Sequence, residues 1–228
     1  MPRRRRFSTA GLVFHVLNRA AKRSTIFESE GDYFSFERLL REATTRADVA
    51  VFAYCVMPNH WHLVASPRSD GALSRFMHWL TTTHARRWQL ARGTAGEGAV
   101  YQGRFKAIPV GGDRHFLWVC RYVERNALRA RLVDRAEAWR WSSLGCKDVW
   151  TAAWPCVRPA NWRDYVNLPQ TEQELRGFRA AMSQGLPYGE DEWVLRTRER
   201  LGMLPRRPRG QPRRKCPQEM TPDPLTFL

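Results

Sequence analysis

Ala53-Tyr54-Cys55-Val56-Met57-Pro58-Asn59-His60-Trp61-His62-Leu63-Val64 is the stretch whose reading decides the fold. Two apolar runs meet at a Pro-Asn pair, which is turn chemistry. The pattern predicts a strand over 49–57, a tight turn, and a returning strand over 60–66. Side chains alternate along a strand, so His60 and His62 point to one face while Trp61 and Leu63 point to the other. Two imidazoles side by side on one sheet face are half of a metal site.

Working outward, residues 11–19 alternate as a strand. Residues 30–47 carry Tyr33, Phe36, Leu39, Leu40 and Ala43 at helical spacing, and residues 72–91 do the same with Leu73, Phe76, Met77, Leu80, His84 and Trp88. A glycine-rich break from Gly93 to Gly98 precedes a strand over 101–110. Gly111-Gly112-Asp113 opens a third helix to about residue 130, with Asp113 as its N-cap. The order β-α-β-β-α-β followed by a helix predicts an α+β, ferredoxin-like split βαβ fold with an antiparallel sheet. Its helices cover one sheet face, leaving the other for a site. The organisation expected is a first domain over 1–135, an aromatic and helical extension over 136–204 packed on it, and a basic tail over 205–228. Within the extension, helices are predicted over 171–184 and 190–201.

The 228 residues carry a formal net charge of +16, and arginine accounts for nearly all of its cations, with only four lysines (Lys22, Lys106, Lys147, Lys215). An excess of this size implies a polyanionic partner, foremost nucleic acid. Arginine's planar fork suits phosphate. The cations group in an amino-terminal arm (Arg3, Arg4, Arg5, Arg6) and in the tail (Arg206, Arg207, Arg209, Arg213, Arg214, Lys215). Five cysteines without a CxxC pair read as reduced thiols, as expected in the cytoplasm, associated with the nucleoid. The stretch after the arginine arm is too short and too polar for a secretory signal, and no run is long enough to span a membrane, so a soluble protein is expected. No Walker-type loop is present.

The third helix supplies what the histidine pair lacks. Tyr122 and Asn126 are four residues apart and share a helix face. Asn126 can complete the His60/His62 set through its amide oxygen, with Tyr122 beside the ion. Arg121 and Arg125 flank the tyrosine, and Arg104 and Lys106 lie on the preceding strand, placed to meet phosphates. His15, His78, His84 and His115 read as ordinary core or surface histidines, and Trp139 and Trp141 as core.

Met57-Pro58-Asn59-His60-Trp61-His62, Tyr101-Gln102-Gly103-Arg104-Phe105-Lys106 and Arg121-Tyr122-Val123-Glu124-Arg125-Asn126 together resemble the single-tyrosine HUH transposases. His15-Val16-Leu17-Asn18-Arg19, Trp141-Ser142-Ser143 and the basic tail are similar to the REP-associated tyrosine transposases of bacteria. The resemblance implies a catalytic domain over 1–135, with His60 and His62 as metal ligands, Asn126 as the third, and Tyr122 as nucleophile. It implies cleavage of single-stranded DNA at palindromic hairpins through a 5′-phosphotyrosine link, a Mg²⁺ or Mn²⁺ cofactor, and a monomer, with the domain-sharing dimer of other single-tyrosine relatives as the alternative. One departure is Asn126-Ala127-Leu128-Arg129-Ala130, where the family commonly has a proline after the asparagine; its loss lets the helix continue. The rival reading is a non-catalytic regulator that keeps the fold and binds structured DNA or RNA.

Overall fold

The computed structural model describes residues 8–203. Strands β1 (Val13–Arg19), β2 (Val49–Met57), β3 (His60–Pro67) and β4 (Lys106–Val110) form one antiparallel sheet in the order β2-β3-β1-β4. Helix α1 (Glu30–Ala47) joins β1 to β2, and α2 (Ala72–Arg92) joins β3 to β4. Strand β3 is thus inserted between β1 and β2, the split βαβ arrangement that the sequence predicts.

Local chemistry sets the ends of these elements. Ser29 and Asp32 form a reciprocal capping box at the start of α1. Asp48 ends it in the left-handed region (φ 52°), and Gly93 (φ 66°) ends α2 in the same way. One sheet face buries Phe14, Val16, Val56, Trp61 and Leu63 against Phe36, Leu40, Phe76 and Leu80 of the two helices. Side chains of this size contribute roughly 1.5–3 kcal/mol each on burial. The polar tip of Trp61 is also satisfied, its Nε1–H donating to Tyr101 Oη at 3.1 Å.

The opposite face is not left open, contrary to the expectation. Helix α3 (Gly112–Glu124) has an apolar stripe, Phe116, Val119, Cys120 and Val123, that needs a partner. It packs over Cys55 and Val64 of the sheet, and α6 (Glu172–Gln184) adds Leu175 and Phe178. The second face is therefore a second core, and a site can occupy only the space at its end.

Residues 136–203 join both cores. Trp141 stacks on Tyr33 at 4.8 Å, while Trp162 and Val166 of α5 (Trp162–Asn167) enter the second core. The extension also covers the free edge of β2: Val56 N–H donates to Trp141 O at 2.8 Å, and Ser143 N–H to Tyr54 O at 2.9 Å. Covering an edge removes a template for strand pairing with other chains. Helix α7 (Asp191–Arg200) closes the described part.

Three local expectations need correction, and helix α5 forms where no element is predicted. Strand β4 begins at Lys106 rather than 101, because Tyr101 is drawn aside to bond Trp61 and His84. Helix α3 starts after Gly111, and Asp113 lies in its first turn without capping it. The helix also does not run unbroken to 130. It stops at Glu124, and α4 (Asn126–Arg129) resumes it, because the Asn126 amide donates to the carbonyls of Tyr122 and Val123 at 3.0 and 3.3 Å. A side chain that competes for these acceptors interrupts the ladder.

Candidate functional site

Sheet register brings the polar residues together. Leu17 lies opposite His62 and Arg19 opposite His60, while Lys106 faces Leu17 and Ile108 faces His15. Cross-strand partners share a face. His15, Arg19, His60, His62 and Lys106 therefore project from the same side, the side covered by α3 and α6. Between sheet and helices a cavity of about 590 Å³ remains, lined by these five residues together with Tyr122, Arg104, Arg129 and Arg179.

Tyr122 is held by aromatic neighbours on several sides. Its ring centroid lies 4.6 Å from that of Phe178, 5.7 Å from Trp118, 5.8 Å from His62 and 6.0 Å from His15. The guanidinium of Arg129 sits 4.2 Å from the same ring, a cation–π contact.

The imidazoles are kept neutral. Burial, reinforced by the nearby Arg129 and Arg19, lowers His60 to about 4. Burial and the Arg129 charge lower His15 to about 3, and burial with the neighbouring histidines takes His62 well below the usual value. Neutral imidazole is the form that binds metal. His60 Nδ1 lies 2.6 Å from Asn59 Oδ1, and His62 Nδ1 lies 3.0 Å from His15 Nε2. Each ring thus has its Nδ1 engaged, leaving Nε2 as the nitrogen available to a ligand, and such outer partners orient metal-binding histidines. The pair therefore fits a divalent ion whose remaining positions are filled by oxygen atoms. Among the described residues, no group of three His, Cys, Asp or Glu side chains is arranged to hold one unaided.

Five cationic side chains, Arg19, Arg104, Lys106, Arg129 and Arg179, line the cavity and give it a charge that suits an anion. Arg19 Nε and Arg129 Nη1 are buried without a hydrogen-bond partner. Leaving such a donor unpaired costs on the order of 1–3 kcal/mol, more when it is charged.

Of the residues singled out from sequence, His60, His62, Tyr122, Arg104 and Lys106 meet in this cavity. Asn126 does not. It is 2% exposed, its amide N–H groups face the carbonyls of α3, and its oxygen accepts from Arg129. Arg121 and Arg125 are also turned elsewhere. Arg121 donates to the carbonyls of Leu168 and Pro169, and Arg125 to those of Val166 and Asn167, so both tie α3 to the end of α5 and neither lines the cavity. Arg3 to Arg6, and Arg206, Arg207, Arg209, Arg213, Arg214 and Lys215, lie outside the described residues.

His15, read from sequence as an ordinary core or surface histidine, lines the cavity, as do Arg19, Arg129, Arg179 and Met182, to which sequence reasoning gave no role in the site. One signal for His15 existed. In 14–19, Phe14 and Val16 form an apolar face, which leaves His15, Leu17 and Arg19 on a mixed one. His84 is, as expected, a satisfied core histidine, bonded to Tyr101 Oη at 2.8 Å.

Residues 8–126 match the sequence pattern of the family described as "Transposase IS200 like". None of the curated proteins compared with the chain is significantly similar to it. Among solved structures, the fold matches that of a REP-associated tyrosine transposase bound to a REP hairpin, with a TM-score of 0.52 and 17% identity over 70% of this chain and 96% of that one. A candidate transposase from Deinococcus radiodurans R1 is similar at TM-score 0.39 and 19% identity, over 54% of this chain and 96% of that one. Among the described residues, no helix is long and apolar enough to cross a membrane.

Proposed function

The chain belongs to the family of IS200-like transposases, enzymes of the HUH tyrosine class, and from that premise we propose that it cuts and rejoins single-stranded DNA at the foot of REP-type hairpins through Tyr122. One observation carries the reading. Tyr122 meets the His60/His62 pair in a cavity lined also by the cations Arg19, Arg104, Lys106, Arg129 and Arg179. The hairpin class draws on the likeness to a chain solved with a REP hairpin.

In the cleavage step Tyr122 Oη attacks the scissile phosphorus. The Oη–P bond forms and the P–O3′ bond breaks, leaving a 5′-phosphotyrosine and a 3′-hydroxyl. The phenol loses its proton and the 3′-oxygen gains one. Bond energy is conserved, so a 3′-hydroxyl attacking the phosphotyrosine rejoins the strand without a nucleotide cofactor. A divalent ion, Mg²⁺ or Mn²⁺, bound to His60 and His62 would polarise the phosphate and offset its developing charge. Arg19 and Arg129 supply fixed donors to the phosphate oxygens, which are worth more in a cavity than in water. Phe178 and Trp118 restrict the tyrosine ring, so little orientation is lost on the way to reaction. Arg104 and Lys106 line the cavity and meet the backbone of the bound strand. Arg3–Arg6 and the basic tail over 205–228 extend that contact along the DNA, and the enzyme acts as a monomer on nucleoid DNA in the cytoplasm.

The test is a hairpin oligonucleotide with a single-stranded extension and Mn²⁺. The native chain should yield a covalent protein–DNA adduct. Tyr122→Phe should bind the hairpin equally well and give neither adduct nor cut. Cleavage by the phenylalanine variant would remove Tyr122 as nucleophile. A native chain that binds without forming an adduct would be a nucleic-acid-binding regulator.

A further inference from the structure

His15 is fully buried with both ring nitrogens engaged. Its Nδ1 lies 3.1 Å from Met182 Sδ, and its Nε2 lies 3.0 Å from His62 Nδ1. A thioether sulfur carries no hydrogen and can only accept. Two ring nitrogens facing each other at 3.0 Å share one hydrogen, and an imidazole that offers a lone pair to a metal holds a single N–H. The hydrogen of His15 therefore sits on Nδ1, facing the sulfur, and its Nε2 is an acceptor. His62 must then supply its hydrogen from Nδ1, which leaves a lone pair on Nε2. In the reverse order His15 would set a nitrogen lone pair against sulfur lone pairs. His62 would then carry its hydrogen on Nε2, where it could not bind a cation.

We propose that Met182 and His15 form a positioning relay that fixes the tautomer and ring orientation of His62, making α6 a working part of the metal centre. His60 has a shorter version of the same device, because Asn59 Oδ1 accepts from its Nδ1. The relay begins outside residues 8–126, the segment that matches the family. Phe178, one turn earlier on α6, braces it at 5.1 Å from His15 and 4.6 Å from Tyr122. The same helix thus holds the ring of the nucleophile and orients a ligand. The inference rests on reading His62 as a metal ligand.

The test uses the full chain labelled with ¹⁵N-histidine, kept metal-free with chelator, and long-range ¹H–¹⁵N spectra that report which ring nitrogen holds the hydrogen. His15 and His62 should both be Nδ1–H. Met182→Leu, close in volume but without an acceptor, should give His62 a mixed population containing the Nε2–H form. His15→Phe should lower Mn²⁺ affinity, measured by electron paramagnetic resonance, by roughly 10- to 100-fold. His15→Gln, which returns an acceptor oxygen, should restore most of it. Native His62 in the Nε2–H form would overturn the relay, as would unchanged tautomers in Met182→Leu with unchanged Mn²⁺ affinity in His15→Phe. Because the spectra need neither metal nor DNA, a failure of the cleavage reading leaves the relay standing, and the reverse holds too.

Discussion

Arg129 places its guanidinium 4.2 Å from the ring centroid of Tyr122 while bonding the side-chain oxygen of Asn126. One cation thus braces the Tyr122 ring and occupies the atom that sequence reasoning assigned to the metal. Its Nη1 remains buried and unpartnered. If that donor awaits a phosphate oxygen, Arg129→Gln should slow single-turnover cleavage by about 10²-fold, with hairpin binding weakened much less. Cleavage at the native rate would show that Arg129 serves the helix junction alone.

His60→Ala and His62→Ala should each abolish metal-dependent adduct formation and remove the high-affinity Mn²⁺ signal from titrations. Neither ring anchors the main core, so the far-ultraviolet circular dichroism should stay native. Full cleavage in excess chelator would exclude the pair from metal binding.

Acid should destabilise the metal-free chain earlier than carboxylate titration alone would. His15 is lowered to about 3, and His60 and His84 to about 4, chiefly by burial, against a usual value of 6.5. Between those limits the unfolded chain binds protons that the folded chain refuses. Stability is therefore complete above pH 6.5 and is lost as pH falls toward 4 and then 3. At about 1.4 kcal/mol per unit of displacement, the summed loss reaches several kcal/mol. Urea unfolding at pH 7.5, 6, 5 and 4 in chelator should follow this decline, and His84→Gln should make it shallower. A flat profile from pH 7 to 5 would contradict the burial argument.

Two arginines that look alike in sequence should behave in opposite ways. Arg121→Ala leaves the carbonyls of Leu168 and Pro169 without their donor, so it should lower unfolding free energy by roughly 1–3 kcal/mol. Arg104→Ala, on the cavity wall, should leave the melting temperature unchanged. It should instead weaken hairpin binding and reduce the salt-dependence slope by about one. Melting curves and a salt titration on both variants separate the roles.

Deleting residues 205–228 should also flatten the salt dependence of DNA binding, since that segment holds six cations between Arg206 and Lys215. An unchanged slope in the truncated chain would show that the tail contributes no phosphate contacts.

The hairpin at 53–64 and both long helices were readable because alternation and helical spacing are local signals. The His60/His62 pair follows from strand alternation alone. His15 was not readable in the same way. Its meeting with His62 depends on register between β1 and β3, and with Met182 on a contact 167 residues away. Asn126 misled for a related reason. Helical spacing places it one turn from Tyr122, but only the fold reveals that Arg129 claims its oxygen. Arg121 and Arg125 looked like phosphate binders until α5, which carries no strong sequence signal, supplied carbonyls for them.

Asn59 closes the β2–β3 turn while its side chain serves two neighbours. Its Oδ1 meets His60 Nδ1 at 2.6 Å, and its Nδ2–H donates to Arg23 O at 3.2 Å. Its backbone carbonyl also accepts from Ala20 N–H at 2.9 Å. In most hairpins a turn residue can drift toward glycine or aspartate with little consequence. Here such drift would loosen the His60 imidazole and release the loop after β1 in the same event. The shortest loop of the sheet is consequently among the places where this protein has least freedom to vary, and a sequence library randomised at position 59 should return asparagine far more often from selection for activity than from selection for folding.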